Sequence, residues 1–241
     1  MKLMEYVGSL LVVTIPLSAT AQLWNLDLEP TGSAGTMSGA GVFGAAGDVW
    51  NVANTTPSAT PVGVSLADSA GNALNSIGLT YTGLASSGAE APGTGNPSAL
   101  MGDYFRSNIN GGGGTSFAQM QWDWSNLAAN TTYDVVAYAA SAAGTDRGVI
   151  FFETVGDAGS ELGKTTGSVT DIFDANAAGN AYVTFQITSD GSGNATFFSN
   201  FNSGTSTQSP VNGFQIQVVP EPGTFALAGF GLLALLIRNR R

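Results

Sequence analysis

Neither cysteine nor histidine occurs among the 241 residues, and each absence removes chemistry. Without cysteine there are no disulfides and no thiolate metal sites. A chain of this length can do without them, because it can bury a substantial core. Without histidine there is no Ser-His-Asp triad and no imidazole zinc site, and the side chain most often used as a general base near neutral pH is missing. Charge is scarce as well: 10% of residues are charged, against roughly 25% in an ordinary soluble domain. Ser, Thr, Asn, Gln and Gly must therefore carry the solvation, as in many extracellular β-proteins. Between Gln22 and Val219 stand 15 acidic residues and only three basic ones, Arg106, Arg147 and Lys164, a net charge of −12. Such a region repels phosphate backbones, which excludes nucleic acid as a partner. No long amphipathic helix and no repeat of 20–50 residues is visible, so bundles, solenoids and propellers are disfavoured.

What is present is short period-two alternation. Residues 181–187, AYVTFQI, put Ala181, Val183, Phe185 and Ile187 on one face and Tyr182, Thr184 and Gln186 on the other. Phe214 to Val218 alternates in the same way. This is the pattern of half-buried strands. Further strands are expected over 62–68, 77–82, 116–125, 132–140, 147–154 and 194–200, with Ser189 to Gly193 as a hairpin connection. Gly88 to Ser98 and Gly111 to Gly114 read as loops. Strands of this length, separated by Gly, Asn, Ser and Pro, predict an all-β fold: a single jelly-roll-like β-sandwich over residues 22–218.

The two ends read differently. In residues 1–21, Lys2 precedes a mostly apolar run from Val7 to Leu17, and Ala19-Thr20-Ala21 offers a cleavage site before Gln22. These are the parts of a secretory signal peptide. Glu5 and the shortness of the apolar run fit less well, and a start codon placed elsewhere would account for both. In residues 219–241, Pro220-Glu221-Pro222 stands before an apolar run from Thr224 to Ile237, and Arg238, Arg240 and Arg241 close the sequence. The arginines orient the run with its carboxyl end in the cytoplasm, leaving the preceding domain outside. Fourteen helical residues span about 21 Å, short of a hydrocarbon core of roughly 30 Å. Snorkelling arginines and local thinning cover part of the difference, so a short transmembrane helix serving as a temporary anchor is expected.

A Pro-Glu-Pro box, a short hydrophobic helix and a terminal arginine cluster, in that order, resemble the PEP-CTERM sorting tail. The resemblance implies an exosortase as partner, cleaving near the box, with signal peptidase acting between Ala21 and Gln22. It further implies a Gram-negative bacterium that makes exopolysaccharide, a transient inner-membrane anchor, and delivery to the cell surface or extracellular matrix. A second, looser resemblance rests on GDVWN from Gly47, LADSAGNALNSIGLTYTG from Leu66, MGDYF from Met101 and VNGFQI from Val211. These pieces are similar to a β-sandwich domain of bacterial surface proteins, akin to galactose-binding-like and carbohydrate-binding modules.

Within the exported region the chemistry-bearing residues have competing readings. Trp122 and Trp124 invite sugar stacking, yet with Met120 they share one face of a strand, which assigns them to the core. Trp50 and Tyr104, beside turn residues, are the better glycan-binding candidates. Asp48, Asp68, Asp103, Asp190 and Asn194 occupy loops or strand ends; such oxygens could assemble a structural calcium site, although capping of turns accounts for most of them without a metal. No other cofactor is expected. Glu29, Glu90, Glu153 and Glu161 stand in no recognisable motif, so a two-carboxylate glycoside hydrolase has no positive signal. Asn54, Asn130 and Asn194 begin Asn-x-Thr sequons, expected by chance in so Asn- and Thr-rich a chain. The expectation is a non-enzymatic surface or biofilm-matrix protein; a carbohydrate-binding module with a defined glycan, and a carboxylate-based hydrolase, are the alternatives.

Overall fold

Alternating apolar and polar side chains leave each strand one face to bury, and two sheets turned face to face satisfy that need. In a computed structural model, residues 22–29, 37–54, 61–83, 85–89, 100, 103–108, 119–140, 147–155, 157–167, 178–202 and 208–219 are described. Among them fourteen strands run in chain order: β1 Leu23–Leu28, β2 Asn51–Ala53, β3 Val62–Leu66, β4 Ile77–Thr82, β5 Ala85–Ala89, β6 Asp103–Asn108, β7 Met120–Ser125, β8 Thr132–Tyr138, β9 Val149–Phe152, β10 Glu161–Lys164, β11 Tyr182–Thr188, β12 Ala195–Phe201, β13 Gln208–Val211 and β14 Gly213–Val218. Two single 3-10 turns, Ala73–Asn75 and Ala158–Ser160, interrupt the connections.

The strands form a five-stranded sheet in the order β11-β8-β14-β1-β2, a six-stranded sheet in the order β10-β9-β12-β7-β4-β3, and a small sheet β13-β6-β5. From β7 to β12 the path crosses between the large sheets at every connection except the β9–β10 hairpin. That winding joins the two large sheets into an all-β sandwich, as alternation led one to expect. Pairing is antiparallel except for β1 with β2, which is parallel.

The aromatic residues of the two sheets meet between them. The Phe214 ring of β14 lies 4.8 Å from Trp122, 5.9 Å from Trp124 and 5.7 Å from Phe197, all on the facing sheet, in edge-to-face arrangements that aromatic quadrupoles favour. Trp122 and Trp124 are fully buried, and the Trp122 Nε1–H donates to Ser199 Oγ at 2.9 Å. The core assignment made from alternation therefore holds. Alternation also located β3, β4, β7, β8, β9, β11, β12 and β14 to within a few residues. Gly88 and Ala89, by contrast, are strand residues and not loop: they pair with Tyr104 and Asp103 in the small sheet. Backbone pairing with β6 overrides the weak intrinsic preference of such small residues. Gly111 to Gly114 lies outside the described residues.

One end of the sandwich collects several features. The β7–β8 and β11–β12 connections both turn there; Leu127 N–H donates to Gly193 O and Asn130 N–H to Asp190 O. Gly193 has φ of +78°. A Cβ at this position would run into the Leu127 carbonyl, so only glycine closes the β11–β12 hairpin without strain. The first and last strands finish at the same end. Leu23 pairs with Gln217, Val218 N–H donates to Gln22 O at 3.2 Å, and Val219 N–H donates to Thr132 O at 3.0 Å.

Candidate surface groove and chain junctions

The outer face of the five-stranded sheet is polar at its centre, and the chain between β1 and β2 folds back across it. Gln215 of β14 is wholly buried there. Its Oε1 accepts from the Tyr138 hydroxyl at 2.6 Å and from Phe43 N–H at 2.9 Å; its Nε2 donates to Asn25 Oδ1 at 2.7 Å and to Phe43 O at 3.0 Å. The Tyr138 oxygen in turn accepts from Val42 N–H at 2.8 Å. Burial pushes the Tyr138 phenol far above its ordinary value, with the bond from Val42 acting in the opposite direction. It therefore stays protonated and available as a donor to Gln215. Asn51 ties the neighbouring loop down, donating to Asn25 O and Ala67 O and accepting from Ala67 N–H. This network fixes the backbone of Phe43 on the sheet.

Phe43 so placed forms one wall of an open groove of ≈ 360 Å³. Asp134 of β8 and Phe185, Thr184 and Gln186 of β11 complete it. Gln186 Nε2 donates to Asp134 Oδ1 at 2.9 Å, which holds amide and carboxylate side by side. An aromatic wall facing a carboxylate, an amide and a hydroxyl is a small apolar surface with a few polar groups that can orient a ligand.

Sequence reasoning did not find this groove. The alternation of residues 181–187 had put Thr184 and Gln186 on the polar face, which is the signal that was available. Nothing near Phe43 could show that a distant glutamine holds it.

The candidates chosen from sequence lie elsewhere. Trp50 is 5% exposed and Tyr104 3%. Trp50 packs at 6.0 Å against Tyr138, its Nε1–H donating to Gly39 O at 2.8 Å. As placed, neither ring offers a face to a sugar; local turn residues had suggested exposure, but the covering loop and neighbouring sheet remove it.

The loop acids are occupied in turns. Asp68 Oδ1 accepts from Ala70 N–H and Asn72 N–H; Asp48 Oδ2 accepts from Ala45 N–H. Asp190 Oδ1 accepts from Asn194 N–H and Ser192 N–H, both at 2.8 Å, and the bond from Asn194, followed by that from Ser192, holds this exposed carboxyl below the usual carboxylate range. Asp103 opens β6, and its side chain lies outside the described residues. Among the described residues no three acidic side chains converge as a metal site would require.

Ala21 and everything before it lie outside the described residues, as do Pro220, Glu221, Pro222, Arg238, Arg240 and Arg241. The junctions themselves are described: Gln22 and Val219 are hydrogen-bonded at the sheet's end, one residue before β1 and one after β14. Among the described residues no helix is long and apolar enough to cross a membrane.

Compared with known proteins, residues 218–241 match the PEP-CTERM protein-sorting motif. The motif implies export and membrane-anchored sorting by exosortase. No curated protein matches the chain. Solved structures with a similar outline include the CBM36-1 domain of a multidomain xylanase from the hindgut metagenome of Trinervitermes trinervoides, with 14% identity over 57% of this chain and 95% of that one and a TM-score of 0.28. The K1 cleaved adhesin domain of Lys-gingipain from Porphyromonas gingivalis matches at 11% identity over 65% of this chain and 97% of its own length, with a TM-score of 0.32. Similarities of this degree assign no role to any residue.

Proposed function

We propose that the chain is a non-enzymatic surface or extracellular-matrix protein, a β-sandwich exported by its amino-terminal signal peptide and then released or transferred at the cell surface by exosortase, in association with exopolysaccharide. The observation that carries this reading is the position of the two junctions. The buried core given by the described residues extends from Leu23 to Ile216. Both predicted processing segments lie outside that interval, so cutting both away removes none of the core side chains among the described residues. Replacing Pro220, Glu221 and Pro222 together with alanine is expected to leave the protein uncleaved in the inner membrane. Intact-mass measurement of the surface-released wild type is the direct test: loss of the arginine cluster supports the reading, and a released protein that keeps Arg238 to Arg241 overturns it.

A second reading, a carbohydrate-binding module, draws support from the groove beside Phe43. Its lining supplies a ring for stacking and a paired carboxylate and amide for hydroxyl groups. The charge of −12 on residues 22–219 favours neutral over anionic glycans. A glycan array on residues 22–219, with Phe43→Ala and Asp134→Ala as controls, tests it; uniform silence removes it. The groove lining contains one carboxylate, Asp134, whereas hydrolysis of a glycosidic bond ordinarily uses two.

A further inference from the structure

We infer that the end of the sandwich bearing both chain junctions is a lipid-contacting surface, with Leu74 and Val49 resting on the bilayer while the tail is anchored. This rests on the reading of Thr224–Ile237 as a membrane-inserted segment. Between Val219, still hydrogen-bonded to the sheet, and Thr224 stand only Pro220, Glu221, Pro222 and Gly223. Fully extended, that stretch reaches at most about 18 Å. The domain is held with this end facing the bilayer, and whatever side chains it exposes there meet the interface.

Two of those side chains are large and apolar, and the exposed Asp190 lies at the same end. The large hydrophobic residues exposed among the described ones are Leu74 at 100%, Val155 at 54% and Val49 at 44%. Leu74 lies on the 3-10 turn of the β3–β4 connection. That connection is joined to the start of β1, because Ser69 N–H donates to Leu23 O at 2.7 Å. Val49 N–H donates to Ser69 O at 2.8 Å, and the Val49 side chain lies against Gly71. Both residues thus lie in segments that are hydrogen-bonded, directly or through Ser69, to the start of β1. Val155 lies in the β9–β10 connection, between Glu153 and Asp157.

A fully exposed leucine makes no contribution to the folded core, and isolated cases are ordinary. Here a second exposed apolar side chain, Val49, belongs to the segment bonded to the same connection. Of the described basic residues, Lys164 closes β10 and Arg147 precedes β9, both at the opposite end, and Arg106 lies within β6 of the small sheet. Contact with lipid is therefore apolar and needs no anionic headgroups.

The absence of native cysteine allows a direct test. Leu74→Cys, Ala178→Cys at the opposite end, and Leu232→Cys in the tail are each labelled with an environment-sensitive fluorophore. The full chain is reconstituted in phosphatidylcholine vesicles that carry spin-labelled lipid. The expected result is a blue shift and quenching by shallow spin labels at position 74, quenching by deep labels at 232, and no change at 178. Deep quenching at 232 with a solvent-like signal at 74 overturns the lipid-contacting surface alone. A solvent-like signal at 232 overturns the membrane reading of the tail, and this inference with it. Protection at 74 that appears only in native membranes, and not in pure lipid, assigns the surface to a protein partner and also overturns the inference.

Discussion

Gln215→Leu is the perturbation that most directly tests how the groove is built. The substitution nearly preserves volume but removes every hydrogen bond that Gln215 makes across the outer face of the five-stranded sheet. Two wholly buried partners lose a bond, the Tyr138 hydroxyl and Asn25 Oδ1. Leaving a buried polar group unsatisfied costs about 1–3 kcal/mol each. The Phe43 amide and carbonyl also lose their bonds, but they lie where water can reach them. Added apolar surface from leucine offsets part of the loss. The expected destabilisation is therefore about 3 kcal/mol. Urea unfolding of residues 22–219 measures it as a fall in midpoint with unchanged slope. Because Gln215 is also what holds the Phe43 backbone, any glycan binding detected for the wild type is expected to weaken in the variant. A loss below about 1 kcal/mol would show that the network is not strongly coupled to folding, and the account of how Phe43 is positioned would fail.

Other expectations concern the core and the hairpin. Phe214→Ala removes the ring that three aromatics of the facing sheet pack around, and is expected to cost about 3–5 kcal/mol in the same assay. Gly193→Ala should lower the thermal midpoint, because it forces a side chain into a positive-φ position against the Leu127 carbonyl; an unchanged midpoint would contradict the hairpin geometry. The Asp190 carboxyl is held below its ordinary value by bonds from Asn194 and Ser192. Its contribution is thus present above the unfolded-state value and is lost as pH falls through the lower folded-state value. Asp190→Asn is expected to flatten this acid limb of the stability profile, and a wild-type-like limb would argue against the assignment.

Much of the sandwich could be read from local alternation. In β4, β7, β11 and β14 the neighbouring residues of the segment itself decide which face is apolar, so a window of six or seven residues carries the information. β1 alternates as well, with Trp24, Leu26 and Leu28 on one face and Asn25 and Asp27 on the other, but the burial of its polar face is decided by the chain between β1 and β2, which covers it. β5 and β6 depend on each other for pairing, which no short window reveals.

The sorting address was legible for a different reason. A processing signal is recognised as a linear segment, so order, spacing and composition are its content, and residues 218–241 could be read without any fold. The groove and the paired junctions have the opposite character. Phe43 and Gln215 lie 172 positions apart in the chain, and Asn25 and Gln215 lie 190 apart. Nothing in either stretch announces the other; hydrophobic burial between the sheets brings β1 beside β14. That pairing sets both ends of the domain side by side, and the loop folded over the sheet buries Trp50.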